Sequence, residues 1–274
     1  MRKTFIYFIV LLSFVACASN DKDAEDRLKL AKNLCKAGLY NTAKLEIDSI
    51  RSLYPTSYKV IKQAVILNRE VERLEQSRNS IYCDKIISEL SQKAAELQED
   101  FVFEKEVQYQ DIGNWVLPSQ RVERNLQRSY LRCGVSEKGE MYIVAVYCGV
   151  IPIRYNSIRV STTEGTFAES LTVANDGANN FSFVDNGMTT QIVSFTHKNE
   201  NGISGFVRLY AHQRIKVDYL GGKPFGFLLD EETKKSVLKT YALSQVMTDL
   251  NHFKQEKSVA DRKLIYLEKK RQKI

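Results

Sequence analysis

Glycine and proline are concentrated in the middle of this 274-residue chain. Twelve of its thirteen glycines and three of its four prolines lie between Gly113 and Gly226, whereas residues 58–100 and 231–274 contain neither residue type. Because these residues mark turns and interrupt helices, their distribution predicts a long helix on each side of a turn-rich centre.

The two stretches without glycine or proline carry apolar residues at heptad spacing. Residues 57–100 hold two successive seams, which change phase near Ile81 and Cys83, and residues 231–274 hold one seam. The seam residues are Val60, Ala64, Leu67, Val71, Leu74 and Ile81, then Cys83, Ile87, Leu90, Ala94, Leu97 and Phe101, and in the second stretch Leu243, Val246, Leu250, Phe253, Ala260, Leu264, Leu267 and Ile274. We predict two arms that form a coiled-coil-like antiparallel helical pair within one chain. Pairing between chains is the open alternative, so the oligomeric state is unknown at this stage.

Residues 101–230 alternate short apolar segments with turn signals, which predicts about ten strands. Met141–Tyr147 is a near-continuous apolar strand, whereas residues 190–195 and 205–210 flank a turn at 199–202 and predict a hairpin. We predict an antiparallel β-sandwich inserted between the two arms. The predicted fold class is therefore α+β.

The N-terminus has the features of an exported protein. In residues 1–16, Arg2 and Lys3 precede a short apolar run that ends in small residues, as in a secretory signal peptide. The segment from Phe14 to Cys17 resembles a bacterial lipobox, in which the cysteine is acylated and becomes the first mature residue. The resemblance implies a lipid bilayer as partner, bound through acylated Cys17.

The residues after Cys17 indicate in which membrane the protein is anchored. Ala18 stands where an aspartate would resemble an inner-membrane retention signal, so the outer membrane is favoured. Residues 17–26 are predicted to be an acidic linker, and residues 21–26 resemble the export tag of surface-exposed lipoproteins in some Gram-negative bacteria. The same carboxylates also suit a helix start, because they complement the helix dipole. The whole chain resembles Gram-negative outer-membrane and surface lipoproteins, a resemblance that implies no activity.

Residues 27–56 have the spacing of one tetratricopeptide repeat. The matching positions are Leu30, Ala31, Leu34, Gly38, Tyr40, Ala43, Ile47, Ile50 and Pro55, and Arg27 stands where the signature usually has tryptophan. The segment resembles the tetratricopeptide-type helices of envelope-assembly lipoproteins. A lone helical hairpin is the alternative, and a single unit predicts local packing without assigning binding residues.

The sequence offers no recognisable catalytic or metal-binding motif. His197, His212 and His252 are too scattered to predict a metal site, and no cofactor is expected. The Asx-Gly pairs around Asp176 and Asp185 are typical of turns. Because no catalytic motif is recognisable, the protein is predicted not to be an enzyme. The weaker alternative is a hydrolytic site near Asp176, Asp185 or Asp218.

The charge distribution and the cysteine positions argue against a nucleic-acid surface and against a disulfide. The formal charge is +7, but residues 254–274 alone carry eight Lys or Arg against three acids, so the basicity is local. A nucleic-acid surface is therefore not expected. Cys133 and Cys148 are expected on adjacent strands, and a turn centred on 138–139 would pair Cys133 with Val144, so no disulfide is predicted.

These observations favour a membrane-anchored envelope lipoprotein that presents the β-sandwich on a helical stalk and binds an envelope protein or a glycan. Large aromatic residues that fit either a binding platform or the core are Trp115, Tyr142, Tyr147, Tyr155 and Phe167. The alternative is a periplasm-facing assembly scaffold that uses its helical segments for protein contacts. The ligand-binding residues are unknown from sequence alone.

Overall fold

The structure is a computed structural model that describes residues 21–106 and 111–271. The predicted signal peptide and Cys17 lie outside the described residues. The chain divides into two compact units. We call residues 21–85 and 254–271 the helical unit, and residues 86–106 and 111–253 the two-sheet unit. No helix in the described part of the chain has both the length and the apolar character of a membrane span.

The helical unit begins with the predicted hairpin. Helix α1 covers residues 21–36 and α2 covers Tyr40–Leu53. Ala31 and Ala43 are fully buried in the same apolar cluster, and Gly38 adopts a φ of +74° in the turn between the helices. Arg27 donates to the Glu46 carboxylate at 2.8 Å, so it ties α1 to α2.

Two details of this region differ from the prediction. Residues 21–26 belong to α1 and are not a linker, because Ala24, Leu28 and Ala31 recur at helical spacing and are buried. Leu30 is 46% exposed, because it lies beside this buried face and not on it.

The two long helices are α3, Tyr58–Gln98, and α5, Glu231–Arg271, close to the predicted arms. Within the helical unit they run antiparallel. Ser80 donates to Asp261 at 2.6 Å, Lys257 lies 3.6 Å from Asp84, and Lys263 lies 3.4 Å from Glu72. The helices therefore pair within the chain, as the matched arm lengths predict.

The change of seam occurs earlier in α3 than the heptad analysis predicts. Val60, Ala64 and Val71 are buried, but Ile81 is 69% exposed. Ser80 and Cys83 occupy the buried face instead, and the Ser80 hydroxyl is satisfied by Asp261 on α5. A short polar side chain with a charged partner thus replaces the apolar residue at the seam.

Within the two-sheet unit, α3 and α5 also contact each other. Leu97 of α3 packs in one cluster with Leu243 and Met247 of α5, and the cluster includes Phe101. Lys239 of α5 pairs with Asp100, just after α3, at 2.8 Å. The two helices are therefore antiparallel in this unit as well.

In the part of the chain that the structure describes, ten strands form two antiparallel sheets beside the helices, so the predicted mixture of helix and antiparallel sheet is confirmed. The six-stranded sheet has the order β1-β2-β3-β4-β8-β7 and the four-stranded sheet the order β10-β9-β5-β6. The strands are β1 Val102–Glu104, β2 Asn114–Val116, β3 Tyr130–Ser136, β4 Met141–Gly149, β5 Ser157–Thr162, β6 Phe167–Glu169, β7 Asn180–Asp185, β8 Met188–Phe195, β9 Ile215–Leu220 and β10 Phe225–Leu228.

The predicted hairpin around residues 199–202 is wrong. Residues Ile203–Leu209 form a short helix, α4, in which Ile203, Phe206 and Val207 are buried at helical spacing. The Glu200 carboxylate accepts the backbone N–H of Ser204 at 2.8 Å, which satisfies one of the unpaired donors at the helix start. The buried residues Ile203, Phe206 and Val207 stand at positions i, i+3 and i+4, which is the spacing of one helix face and not of a strand.

One apolar cluster contains buried side chains from both sheets. Tyr155, before β5, stacks on Tyr219 of β9 with ring centroids 4.3 Å apart. The Tyr219 hydroxyl donates to the carbonyls of Tyr130 and Val146 in the other sheet, at 3.1 and 3.0 Å. The Tyr155 hydroxyl donates to the Ala145 carbonyl at 2.6 Å. Burial raises the pKa of both tyrosines well above the usual range.

Tyr219→Phe should lower the free energy of unfolding by about 1–2 kcal/mol, because it removes the donor to two buried carbonyls. Urea denaturation followed by fluorescence measures the change. Tyr58→Phe is the matched control, since Tyr58 is 77% exposed. An unchanged midpoint for Tyr219→Phe would contradict the role assigned to this hydroxyl.

Candidate functional site

Strand β4 is apolar on both of its faces. Ile143, Ala145 and Tyr147 point into the cluster shared by the two sheets, whereas Val144 and Val146 point to the opposite face of the six-stranded sheet. An antiparallel sheet with one wetted face would alternate apolar and polar residues. The continuous apolar run of β4 therefore indicates that both faces of this sheet are covered or bind something.

The second face carries a groove of about 240 Å³. Its floor is formed by side chains of β3, β4 and β8, one wall by the loop at residues 122–128, and the opposite rim by β7. The main floor residues are Tyr130, Val144, Val146 and Ile192, and the walls are Val122, Leu126, Arg128, Phe183, Asp185 and Met188. We call this surface the groove.

The strand register orders the groove. Tyr130 lies opposite Val146, and Val146 lies opposite Ile192, so one apolar row crosses three strands. Arg128 stands just before β3, and Asp185 ends β7, three strands away in the sheet order. At roughly 4.8 Å between strands, the strand of Asp185 lies about 14 Å from β3 across the floor.

The polar groups nearest the floor already have partners. Arg132 donates to the Gln120 carbonyl at 3.0 Å and to the Glu104 carboxylate at 2.8 Å. The Asn125 amide donates to the backbone carbonyls of Ser119 and Arg121, at 2.9 and 2.8 Å. The Thr190 hydroxyl donates to the sulfur of Cys148 at 3.7 Å. The floor therefore offers apolar contact more than hydrogen bonds.

The carboxylates proposed for hydrolysis are not grouped into a site. Asp185 is at the groove rim, but Asp218 lies in the other sheet and pairs with Lys216 at 2.7 Å. Asp176 accepts the backbone N–H groups of residues 178–180, which lower its pKa. That contact set is a turn, as the Asx-Gly pattern predicts.

The structure separates the remaining sequence candidates. His197, His212 and His252 are exposed, and the described residues contain no group of three or more potential metal ligands. Tyr147 and Tyr155 are buried in the core, Trp115 and Tyr142 are half-buried, and Phe167 is 56% exposed. Sequence reasoning missed Tyr130 and Phe183, the two aromatic residues of the groove.

The cysteines differ in accessibility. Cys133 lies opposite Ile143, one residue from the predicted partner Val144, because the turn centres on Lys138. Cys133 and Cys148 are both free thiols. Burial raises the pKa of the Cys133 thiol to about 11, whereas Cys148 is half-buried and lines the groove. Cys148 is thus a natural reporter of the groove.

No family model matches this sequence, and no curated protein or solved structure matches the chain. The groove and its residues therefore carry the functional argument.

Among the described cysteines, Cys148 should react first with iodoacetamide in the folded protein. Cys35, Cys83 and Cys133 are buried, and burial raises the pKa of each thiol, so less of the reactive thiolate forms. Peptide mass spectrometry after timed alkylation measures each site, with Cys148→Ser as control. Equal labelling of Cys133 and Cys148 without denaturant would contradict the assigned burial.

Proposed function

We propose that the protein is a membrane-anchored cell-envelope lipoprotein whose two sheets form a β-sandwich binding module carried on a helical stalk. The observation that carries the binding role is the open apolar groove on the second face of the six-stranded sheet. Apolar concave sites with a few polar groups at their edges are typical of ligand pockets.

Two further observations support parts of this proposal. One cluster of buried side chains draws on both sheets, which supports a sandwich. The signal-like residues 1–16 and the lipobox-like segment ending at Cys17 support export and anchoring in the outer membrane. A binding role is preferred to hydrolysis because Asp185 and Asp218 lie in different sheets.

A periplasm-facing assembly scaffold is the second candidate. It is favoured by a cavity of about 230 Å³ in the helical unit, lined by Ile47 of α2 and by Ile61 and Val65 of α3. In this proposal the helices bind other envelope proteins.

Cys17→Ser should abolish acylation and move the protein from the outer-membrane fraction to the soluble fraction, because the thiol that takes the diacylglycerol is gone. Metabolic labelling with an alkyne fatty acid, followed by fractionation, measures both effects. Cys148→Ser is the control and should stay labelled and membrane-bound. Acylation that persists in Cys17→Ser would overturn the anchoring proposal.

Protease treatment of intact cells separates the two candidates. Loss of residues 101–230 before the outer membrane is opened supports a module displayed outside the cell. Protection until the outer membrane is permeabilised supports the periplasm-facing scaffold.

A further inference from the structure

The groove suits a ligand with an apolar body. Val144, Val146 and Ile192 line its floor, and the polar side chains beside them are already hydrogen-bonded within the protein. A glycan would bring many hydroxyls that the floor could not satisfy, which is costly on burial. At about 240 Å³ the groove is smaller than pockets for drug-sized ligands, so one chain fits better than a branched molecule.

The charge at one rim suits an anionic group. The Arg128 side chain is 47% exposed and contacts the Asp230 carboxylate at 3.5 Å, a long contact for a charged pair. The other Asp230 oxygen accepts the Thr233 N–H at 2.6 Å and caps α5. A guanidinium has five donors, so Arg128 can bind a further carboxylate or phosphate.

The opposite rim sets the direction of such a ligand. Asp185, on a strand about 14 Å from β3, repels an anion but not a hydrocarbon tail. An anionic head therefore belongs beside Arg128, with the tail across Val146 and Ile192 toward β7.

We propose that the groove binds a single-chain amphiphile with an anionic headgroup, of the fatty-acid class. This inference rests on the proposed binding role of the two-sheet unit and names its ligand class. It does not depend on acylation of Cys17 or on the side of the membrane.

The test uses the chain from Ala18 onward, which contains every described residue, after removal of bound lipid. Three ten-carbon probes with different heads are compared: decanoate, decanol and decylamine. Each is titrated while the alkylation rate of Cys148 is followed by peptide mass spectrometry. Decanoate should protect Cys148 with about tenfold higher affinity than decylamine, and decanol should fall between them.

Two substitutions should change the decanoate affinity in opposite directions. Arg128→Gln should weaken decanoate binding about tenfold and leave decanol unchanged. Asp230→Asn should strengthen decanoate binding several-fold, because asparagine still caps α5 while the competing charge is lost. Arg124→Gln is the matched control, since Arg124 is exposed in the same loop but does not line the groove.

Some outcomes would overturn the inference. Equal protection by all three probes, or decanoate protection that survives Arg128→Gln, rules out the anionic headgroup. If Arg128→Gln does not fold, Asp230→Asn becomes the deciding variant. An unchanged decanoate affinity in Asp230→Asn would then rule out the anionic headgroup. Failure of all three probes to protect Cys148 rules out the amphiphile, and it leaves the fractionation and protease results, which test the envelope proposal, unaffected.

Discussion

The buried tyrosine pair of the two-sheet unit is the contact on which its architecture depends. Tyr219 and Tyr155 stack on each other, and their hydroxyls donate to carbonyls of β3 and β4 in the other sheet. Each ring fills the core, and each hydroxyl has a carbonyl acceptor, so no polar atom of the two side chains is buried without a hydrogen bond. The two tyrosines belong to the same buried cluster as Ile143, Ala145 and Tyr147, so they pack on the core face of β4.

The groove follows from that choice. Once Ile143, Ala145 and Tyr147 are packed in the core, the apolar Val144 and Val146 must lie on the other face. The loop at residues 122–128 covers only part of this face, and the remaining apolar surface lies between Arg128 and Asp185. Val144 and Val146 are only 8% exposed, so the apolar surface that stays open comes from the walls of the groove, and a ligand seated there would cover it. For this reason the groove carries the proposed function.

Much of the fold could be predicted from periodicity and turn residues. The absence of glycine and proline located α3 and α5, and small residues such as Ala31 and Ala43 marked the packed hairpin. The helix at Ile203–Leu209 was missed because in seven residues a helical face and strand alternation nearly coincide. The groove could not be predicted, although the continuous apolar run of β4 was visible, because it depends on the register of four strands and on a loop without periodicity.

Methyl NMR under xenon pressure tests most directly whether the second face of the six-stranded sheet is an open apolar site. Xenon enters apolar cavities irrespective of ligand chemistry. The account predicts saturable shifts for the methyl groups of Val144, Val146 and Ile192, with those of Ile143, Val193 and Ile215 unchanged. Shifts confined to the core methyls, or none in the groove, would contradict it.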